Sequence, residues 1–311
     1  PEHTRLRNLV SDHFHPEELQ QYRPEMEQRA EQLMDEALGE GPEFDFATDV
    51  AWKFPMIIIA DMMGVPQDRR DTYKEWSDIL VGTPTEMETA SREEMMQKRV
   101  QTLRKMADFF GEMIETRLTE ERKDLMATLL DSDLTEKEII KFGQIFILAG
   151  NITTTMFLSN AVWTFIEENL IPDLKRNDVE LDRALDEVLR YRSPVKEVTR
   201  VTAQEVEIRG KTIPEGEVVW GWLGSANRDE EVFDHPSEFD PDRSTRKHLA
   251  FGDGPHTCLG SNLAKFEARI LLEEFLDRVE DAELTTDRLD PFYSRATYGV
   301  ESLPIRVEPA G

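Results

Sequence analysis

The only cysteine of the chain sits in the stretch Phe251-Gly252-Asp253-Gly254-Pro255-His256-Thr257-Cys258-Leu259-Gly260. Leu259, Leu263, Phe266 and Ile270 recur at spacings of four, three and four, which predicts a helix over 261–279 with one apolar face. Gly252, Gly254 and Gly260 permit backbone angles and close approaches that a side chain would block. Unpaired amides at a helix start stabilise an anion, so a thiolate at Cys258 is favoured. A thiolate preceded by the flat, apolar Phe251 suits an iron ligand beneath a haem ring. Two other readings stay open on these residues alone: a small buried hydrophobe, or a nucleophile paired with His256 two positions away.

Other residues with chemistry to offer are spread along the chain. His3 and Arg7 stand four apart on one helix face. Ala149-Gly150-Asn151-Ile152-Thr153-Thr154-Thr155 puts small and hydroxyl residues in the middle of an apolar run, where poor helix formers kink a helix or leave room beside it. Glu187 and Arg190 form an E-x-x-R. Arg200 lies in an alternating, strand-like segment. Pocket candidates are Ile145, Phe146, Ala149, Val195, Lys196, Val198 and Tyr298, with Lys196 suited either to an acidic substrate or to solvent.

The elements that must position these residues are mostly helical. Helices are expected over 3–14, 24–38, 45–63, 68–80, 88–120, 125–130, 136–169 and 182–191, with a turn at Val81-Gly82-Thr83-Pro84-Thr85. Thr135 and Glu138 make a capping box for the 136–169 helix, whose middle is apolar nearly all round and so buried. Met87, Met95, Met96, Met106 and Met113 are read as adaptable core filling. Residues 195–219 are strand-rich, and 298–305 resemble a hairpin. The expectation is one domain over 1–311: mostly helical to 192, strands and loops over 193–249, the cysteine loop and its helix over 250–279, and a C-terminal hairpin over 280–311.

The string F-G-x-G-x-H-x-C-x-G is met at every fixed position and closely resembles the haem loop of the cytochrome P450 family. The resemblance extends over the chain in family order and implies a mainly α, α+β fold of that type, lacking its N-terminal sheet and substrate-covering loop. It implies haem b with Cys258 as the iron ligand, and Phe251, Gly260 and Gly150 against the ring. His3, Arg7, Arg200 and His256 would hold propionates. Thr153 falls where the family's hydroxyl steers protons to oxygen, with Asn151 beside it. The residue before that Thr is usually acidic in the family but is Ile152 here, so poor coupling of electron use to product is expected. Glu187 and Arg190 would be locked with Arg243, from Phe239-Asp240-Pro241-Asp242-Arg243. Ala226-Asn227-Arg228-Asp229 and Phe233-Asp234-His235-Pro236 match an ordered loop, so His235 reads as a turn residue. Helices 68–80 and 88–120 would form a lid.

The activity implied is a soluble microbial monooxygenase that inserts one oxygen atom from O2 into a small apolar organic substrate. Electrons would come from a ferredoxin-like or flavin donor meeting Lys265, Arg246 and Lys247. Alternatives are peroxide-driven oxidation, a haem-binding module without turnover and, more remotely, a thiol hydrolase.

With 64 acidic and 37 basic side chains the formal charge is -27, and only 12 of the basic residues are lysine. Such a charge repels itself in dilute buffer and is screened in molar salt, which points to a halophilic setting. It argues against nucleic acid, whose phosphates need clustered Lys and Arg. One cysteine allows no internal disulfide and suits a reducing cytoplasm. Apolar runs such as Met56-Ile57-Ile58-Ile59-Ala60 are short, so no membrane span is expected. The chain opens at Pro1 in mid-pattern without an initiator methionine, as a fragment would.

Overall fold

The computed structural model describes residues 1–66, 69, 72, 75, 76, 79, 91–117, 124–243, 247–292 and 294–310. The expected helix 68–80, the turn 81–85, Met87 and the donor contact Arg246 fall wholly or largely outside them. The main helices are α1 (Glu2–Val10), α2 (Arg23–Gly39), α3 (Phe54–Met62), α4 (Arg92–Arg117), α5 (Leu125–Leu130), α6 (Glu136–Gly150), α7 (Ile152–Glu167), α8 (Leu181–Tyr191) and α9 (Ser261–Arg278). The strands are β1 (Glu43–Asp45), β2 (Glu197–Val201), β3 (Val206–Ile208), β4 (Lys211–Ile213), β5 (Val218–Trp222), β6 (Val279–Leu284) and β7 (Pro304–Pro309). They form antiparallel pairs β2–β5 and β3–β4 and a three-stranded sheet in the order β1-β7-β6. The fold is mainly helical with small sheets, the α+β class expected.

Helix starts follow local chemistry. The Thr135 amide donates to the Glu138 carboxylate at 2.8 Å, and the Glu138 amide returns to the Thr135 hydroxyl, closing the capping box. Asp124 caps α5 by accepting the Ala127 amide at 3.0 Å. Asn169 ends the α7 region in a left-handed conformation, φ 50.

Three expectations about elements are corrected. The helix expected over 45–63 is instead β1, a π-turn at Ala47–Ala51 and then α3. Asp45 decides this: its carboxylate accepts the Thr48 and Leu303 amides, tying the segment to the start of β7. The helix expected over 136–169 is broken at Asn151 into α6 and α7. The C-terminal hairpin is wider than 298–305, because β6 pairs with β7 across an excursion at 285–303.

The core runs continuously from Val10 to Val307. Met106 and Met113 fill it as expected, whereas Met96 is exposed. α6 packs on α4 and α3, and α7 packs on α8 and α9. A Cβ at Gly143 would lie 2.4 Å from the Phe110 ring, so only glycine lets α6 approach α4 this closely. Contrary to the expectation from run length, the stretch Glu136–Glu167 is long and apolar enough to cross a bilayer, but most of it is buried inside the protein.

Glu267 on α9 is buried, and its Oε2 has no partner among the described residues. Burial pushes its pKa well above the ordinary carboxylate range. The native state therefore keeps a proton that the unfolded chain releases, and stability falls as pH rises above that range. The slope is about 1.4 kcal/mol per pH unit while the two states differ by one proton. Glu267→Gln should thus gain on the wild type as pH rises, read as the difference between urea melts at acid and alkaline pH. A difference independent of pH would contradict it.

Candidate functional site

Gly252 and Gly254 adopt φ 72 and φ 71, a region costly for other residues, and so fold the cysteine loop back on itself. The Cys258 amide donates to the Phe251 carbonyl at 2.8 Å, and the Thr257 hydroxyl to the Gly254 carbonyl at 2.8 Å. Gly260 precedes the first turn of α9. Cys258 is exposed. Protein nevertheless surrounds much of its thiol: burial pushes its pKa up, while the Gly260 amide and Arg7 pull it back. The sequence favoured an anionic thiol; in the folded chain burial outweighs those two groups, and coordination to a metal would be what removes the proton.

Beside the loop, the Arg7 guanidinium on α1 donates to the Thr257 carbonyl at 2.7 Å. The His3 and His256 rings lie 4.1 Å apart. Loss of water, with His256 and Arg7 nearby, holds the His3 pKa below its ordinary value. Arg200 is exposed on β2 and donates to its neighbour's carbonyl, Thr199, at 2.9 Å. His3, Arg7 and His256 are thus brought together, and Arg200 stands apart from them. Neither Arg7 nor Arg200 has a carboxylate partner among the described residues, although the chain is rich in acids. Two cations left without counter-ions fit a ligand that supplies carboxylates.

The threonine run makes the break between α6 and α7. The Thr153 hydroxyl donates to the Ala149 carbonyl at 2.9 Å, and that of Thr155 to the carbonyls of Asn151 and Ala51, each at 3.1 Å. Such back-bonding competes with the helix ladder. Thr153 is partly exposed, while the Asn151 side chain is buried with its Oδ1 3.4 Å from the Thr155 hydroxyl. A Cβ at Gly150 would meet the Ile59 side chain at 3.6 Å, an ordinary van der Waals contact. Ile145, Leu148 and Ala149 are exposed, an apolar row in which Ala149 stands one helical turn and Ile145 two turns before Thr153. Phe146 does not belong to that row: it is buried against Phe14 and Phe142. Ile152 packs in a buried group with Met156, Phe292 and Trp52. A carboxylate at 152 would enter that apolar group, so Ile152→Glu is not a simple way to restore a proton donor.

Behind the cysteine loop, Glu187 and Arg190 are fully buried and joined twice, at 2.6 and 2.8 Å. Arg243 meets the same carboxylate at 3.1 Å, completing the expected triad. Arg190 also donates to the carbonyls of Asn227, Pro236 and Glu238. Asn227 was legible only as part of an ordered loop. It is buried, and its side chain accepts the Leu249 amide at 2.6 Å, two residues before Phe251. His235 has φ 46 and is exposed, as a turn residue. Among the described residues no group of three His, Cys, Asp or Glu side chains is placed to hold a metal ion. Lys265, expected to be free for a donor, is paired with Asp186 at 2.5 Å. Lys247 is exposed.

These features fit a haem: an accessible thiol on a glycine loop, open space where a Cβ at Gly254 or Gly260 would stand, unpaired cations and an exposed apolar helix row. They define a haem-thiolate protein. The family model Cytochrome P450 matches residues 175–304. The putative cytochrome P450 YjiB of Bacillus subtilis is 32% identical over 313 residues, covering 99% of this chain and 78% of that protein. 6-Deoxyerythronolide B hydroxylase of Saccharopolyspora erythraea is 32% identical over 321 residues, covering 99% of this chain and 76% of that protein. The crystal structure of CYP109E1 from Bacillus megaterium in complex with corticosterone has a TM-score of 0.92 at 34% identity, covering 98% of this chain and 83% of that one. The chain belongs to the cytochrome P450 family. It is a haem-thiolate monooxygenase whose cofactor is haem b, acting on organic substrates with electrons from a redox partner.

Proposed function

We propose that Cys258 is the iron ligand and that this chain's own residues divide the remaining work as follows. His3, Arg7 and His256 form one propionate anchor and Arg200 a second. Phe251, Gly260 and Gly150 lie against the ring, with open space at the Gly260 Cβ position. Bound haem supplies the oxidation, taking O2, two electrons and two protons to a hydroxylated product and water. Thr153 holds a hydroxyl at the partly exposed break between α6 and α7, the place in the chain suited to passing protons. Asn151, buried and near Thr155, shapes that break rather than meeting substrate. Ile145, Leu148 and Ala149 offer apolar surface to a small apolar substrate.

The observation that carries this reading is the accessible thiol of Cys258 beside Arg7, which has no carboxylate partner among the described residues. Absorption of the reduced, carbon monoxide-bound protein tests it, because its strong red shift reports a thiolate ligand; a spectrum without the shift overturns the assignment. Product formed with a reductant, compared with hydrogen peroxide in its place, separates donor-driven from peroxide-driven turnover.

The electron donor is a ferredoxin-like or flavin protein approaching from the Cys258 side. Lys247 is the exposed basic contact there, since Lys265 is paired with Asp186. The cytoplasm is the compartment that a single cysteine suits. The net charge of -27 suits concentrated salt. At molar salt the screening length falls to about 3 Å, so the melting temperature should rise between dilute buffer and molar potassium chloride. A melting temperature that stays level or falls removes the halophilic assignment.

A further inference from the structure

His248 lies three residues ahead of Phe251, on the approach to the cysteine loop, and it is partly buried. Its Nδ1 accepts the amide of Ala250 at 3.2 Å. Ala250 is buried, so its amide needs a partner inside the protein rather than in water. A ring nitrogen accepts only while it carries no proton, so the neutral imidazole present here has its proton on Nε2. The same imidazole packs on the Phe251 ring, with centroids 6.1 Å apart at 54°. One side chain thus holds both a backbone amide and the aromatic ring of the residues that open the loop.

That grip reaches Cys258 through a single bond. The Phe251 carbonyl accepts the Cys258 amide at 2.8 Å, so the position of the Phe251 peptide decides where the Cys258 backbone sits. The residues on either side are tied down as well: the Leu249 amide to the Asn227 side chain at 2.6 Å, and the Gly252 amide to the Leu249 carbonyl at 2.9 Å. Of these three ties, only that of Ala250 depends on a group that titrates. Charges face the imidazole from two helices: Asp186, Glu187 and Arg190 on α8, and Lys265 on α9. They stand as two opposed pairs, Lys265 with Asp186 at 2.5 Å and Arg190 with Glu187 at 2.6 Å, and largely offset one another. Loss of water is the larger influence and holds the His248 pKa below its ordinary value, which leaves Nδ1 free to accept at neutral pH. The Lys265 ammonium also stands 6.0 Å from the centroid of the Phe251 ring.

We propose that His248 is a positioning residue for the Cys258 ligand: as a neutral acceptor it fixes Ala250 and Phe251, and through the Phe251 carbonyl it fixes the backbone from which the sulfur is presented to iron. The assignment rests on the reading of Cys258 as the iron ligand, and it adds a residue that lies outside the glycine-rich string around the cysteine. An imidazolium carries N–H on both nitrogens and would turn a second donor toward the Ala250 amide, so acid releases the tie. Because the native pKa is lowered, the unfolded chain takes up this proton at a higher pH than the native loop does. The tie is therefore complete above the ordinary histidine range and is lost as the pH falls through the native pKa.

The test compares His248→Leu, which removes the acceptor, with His248→Asn, whose side-chain oxygen can accept an amide two residues on. Both are studied as the haem-loaded, reduced, carbon monoxide-bound protein, which is diamagnetic. Hydrogen exchange of the Cys258 amide, followed by nuclear magnetic resonance, reads the loop. The rate at which the red-shifted band converts to an unshifted one reads the hold on the sulfur. Loss of one such hydrogen bond changes a local equilibrium roughly fivefold or more. His248→Leu should lose that factor in protection of the Cys258 amide and convert faster by a similar factor, and His248→Asn should restore most of both. Unchanged protection in His248→Leu overturns the proposal, as does an Asn variant that behaves like the Leu one. A third arm needs no variant to fold. As the wild type is taken from about pH 8 to about pH 5, protection of the Cys258 amide, corrected for intrinsic exchange, should fall in step with the imidazole resonance of His248. Protection that stays level through that titration overturns the proposal too. A wild type without the red-shifted band would count against Cys258 as iron ligand, whereas the exchange of its amide reads His248 by itself.

Discussion

Cys258→Ala is expected to abolish the red-shifted band of the reduced, carbon monoxide-bound protein while leaving the polypeptide folded. The two halves of that result have separate causes. The thiol is the one soft ligand the loop offers, and the sole cysteine of the chain, so no other thiolate can replace it. The loop itself is shaped by its backbone. The Cys258 amide bonds to Phe251, and Gly252 and Gly254 supply the positive φ angles, none of which involves the sulfur. The Cys258 side chain is exposed and its sulfur takes a backbone hydrogen bond from the Gly260 amide, so its removal costs little, about 1 kcal/mol. Far-ultraviolet circular dichroism should therefore match the wild type, and a urea melt of the haem-free protein should stay close to it. A variant that keeps the band would remove Cys258 as ligand. A variant that unfolds would show that the sulfur packs the loop.

Glu187→Gln should be more damaging to the fold than any change at the cysteine. The Glu187 carboxylate faces the guanidiniums of Arg190 and Arg243 and accepts the Asp240 amide at 3.1 Å. Arg190 and Glu187 have no solvent exposure. Neutralising the acid leaves the Arg190 charge buried with only carbonyl partners, and breaking a buried pair in this way costs about 3–5 kcal/mol. Set against a typical total stability of about 5–15 kcal/mol, that is a large share. The loss also reaches the site. Arg190 donates to the Asn227 carbonyl, the Asn227 amide donates to Ser193 at 2.6 Å, and its oxygen holds the Leu249 amide just ahead of the cysteine loop. Urea denaturation should show the midpoint lowered accordingly, and the haem content of the purified protein should fall with it. Replacing Glu187 and Arg190 together by apolar residues of similar volume should cost less than either single change. A single variant within about 1 kcal/mol of the wild type would mean that water reaches the triad.

The contrast between these two variants shows what could be read before folding. The cysteine loop was legible because its chemistry is local: three glycines, a histidine and a thiol within ten residues need little beyond their own backbone. The same is true of the Thr135–Glu138 capping box. The E-x-x-R pair was visible as a spacing, but an (i, i+3) ion pair on an exposed helix is worth well under 1 kcal/mol. Its weight comes from complete burial and from Arg243, 53 residues beyond Arg190, which no window of sequence contains.

Other features escaped for the same reason. The split at Asn151 was expected only as a kink, because what opens it includes the Ala51 carbonyl taken by Thr155 from a distant turn. Phe146 was grouped with the pocket by helical spacing, yet Phe14 and Phe142 draw it into the core. Lys265 carried a charge suited to a donor until Asp186 on α8 neutralised it.

By itself the sequence determined the mainly helical class, the thiol and its glycine loop, and the excess of acid, since each depends on residue type and near spacing. Only the tertiary structure decided how much each charge and each thiol would weigh. Burial raises the Cys258 pKa, leaves Arg7 and Lys196 without carboxylate partners among the described residues, and turns Glu187 into a buried lock behind the cysteine loop. The physical reason is that desolvation and long-range pairing set those energies, and both exist only once distant segments have packed.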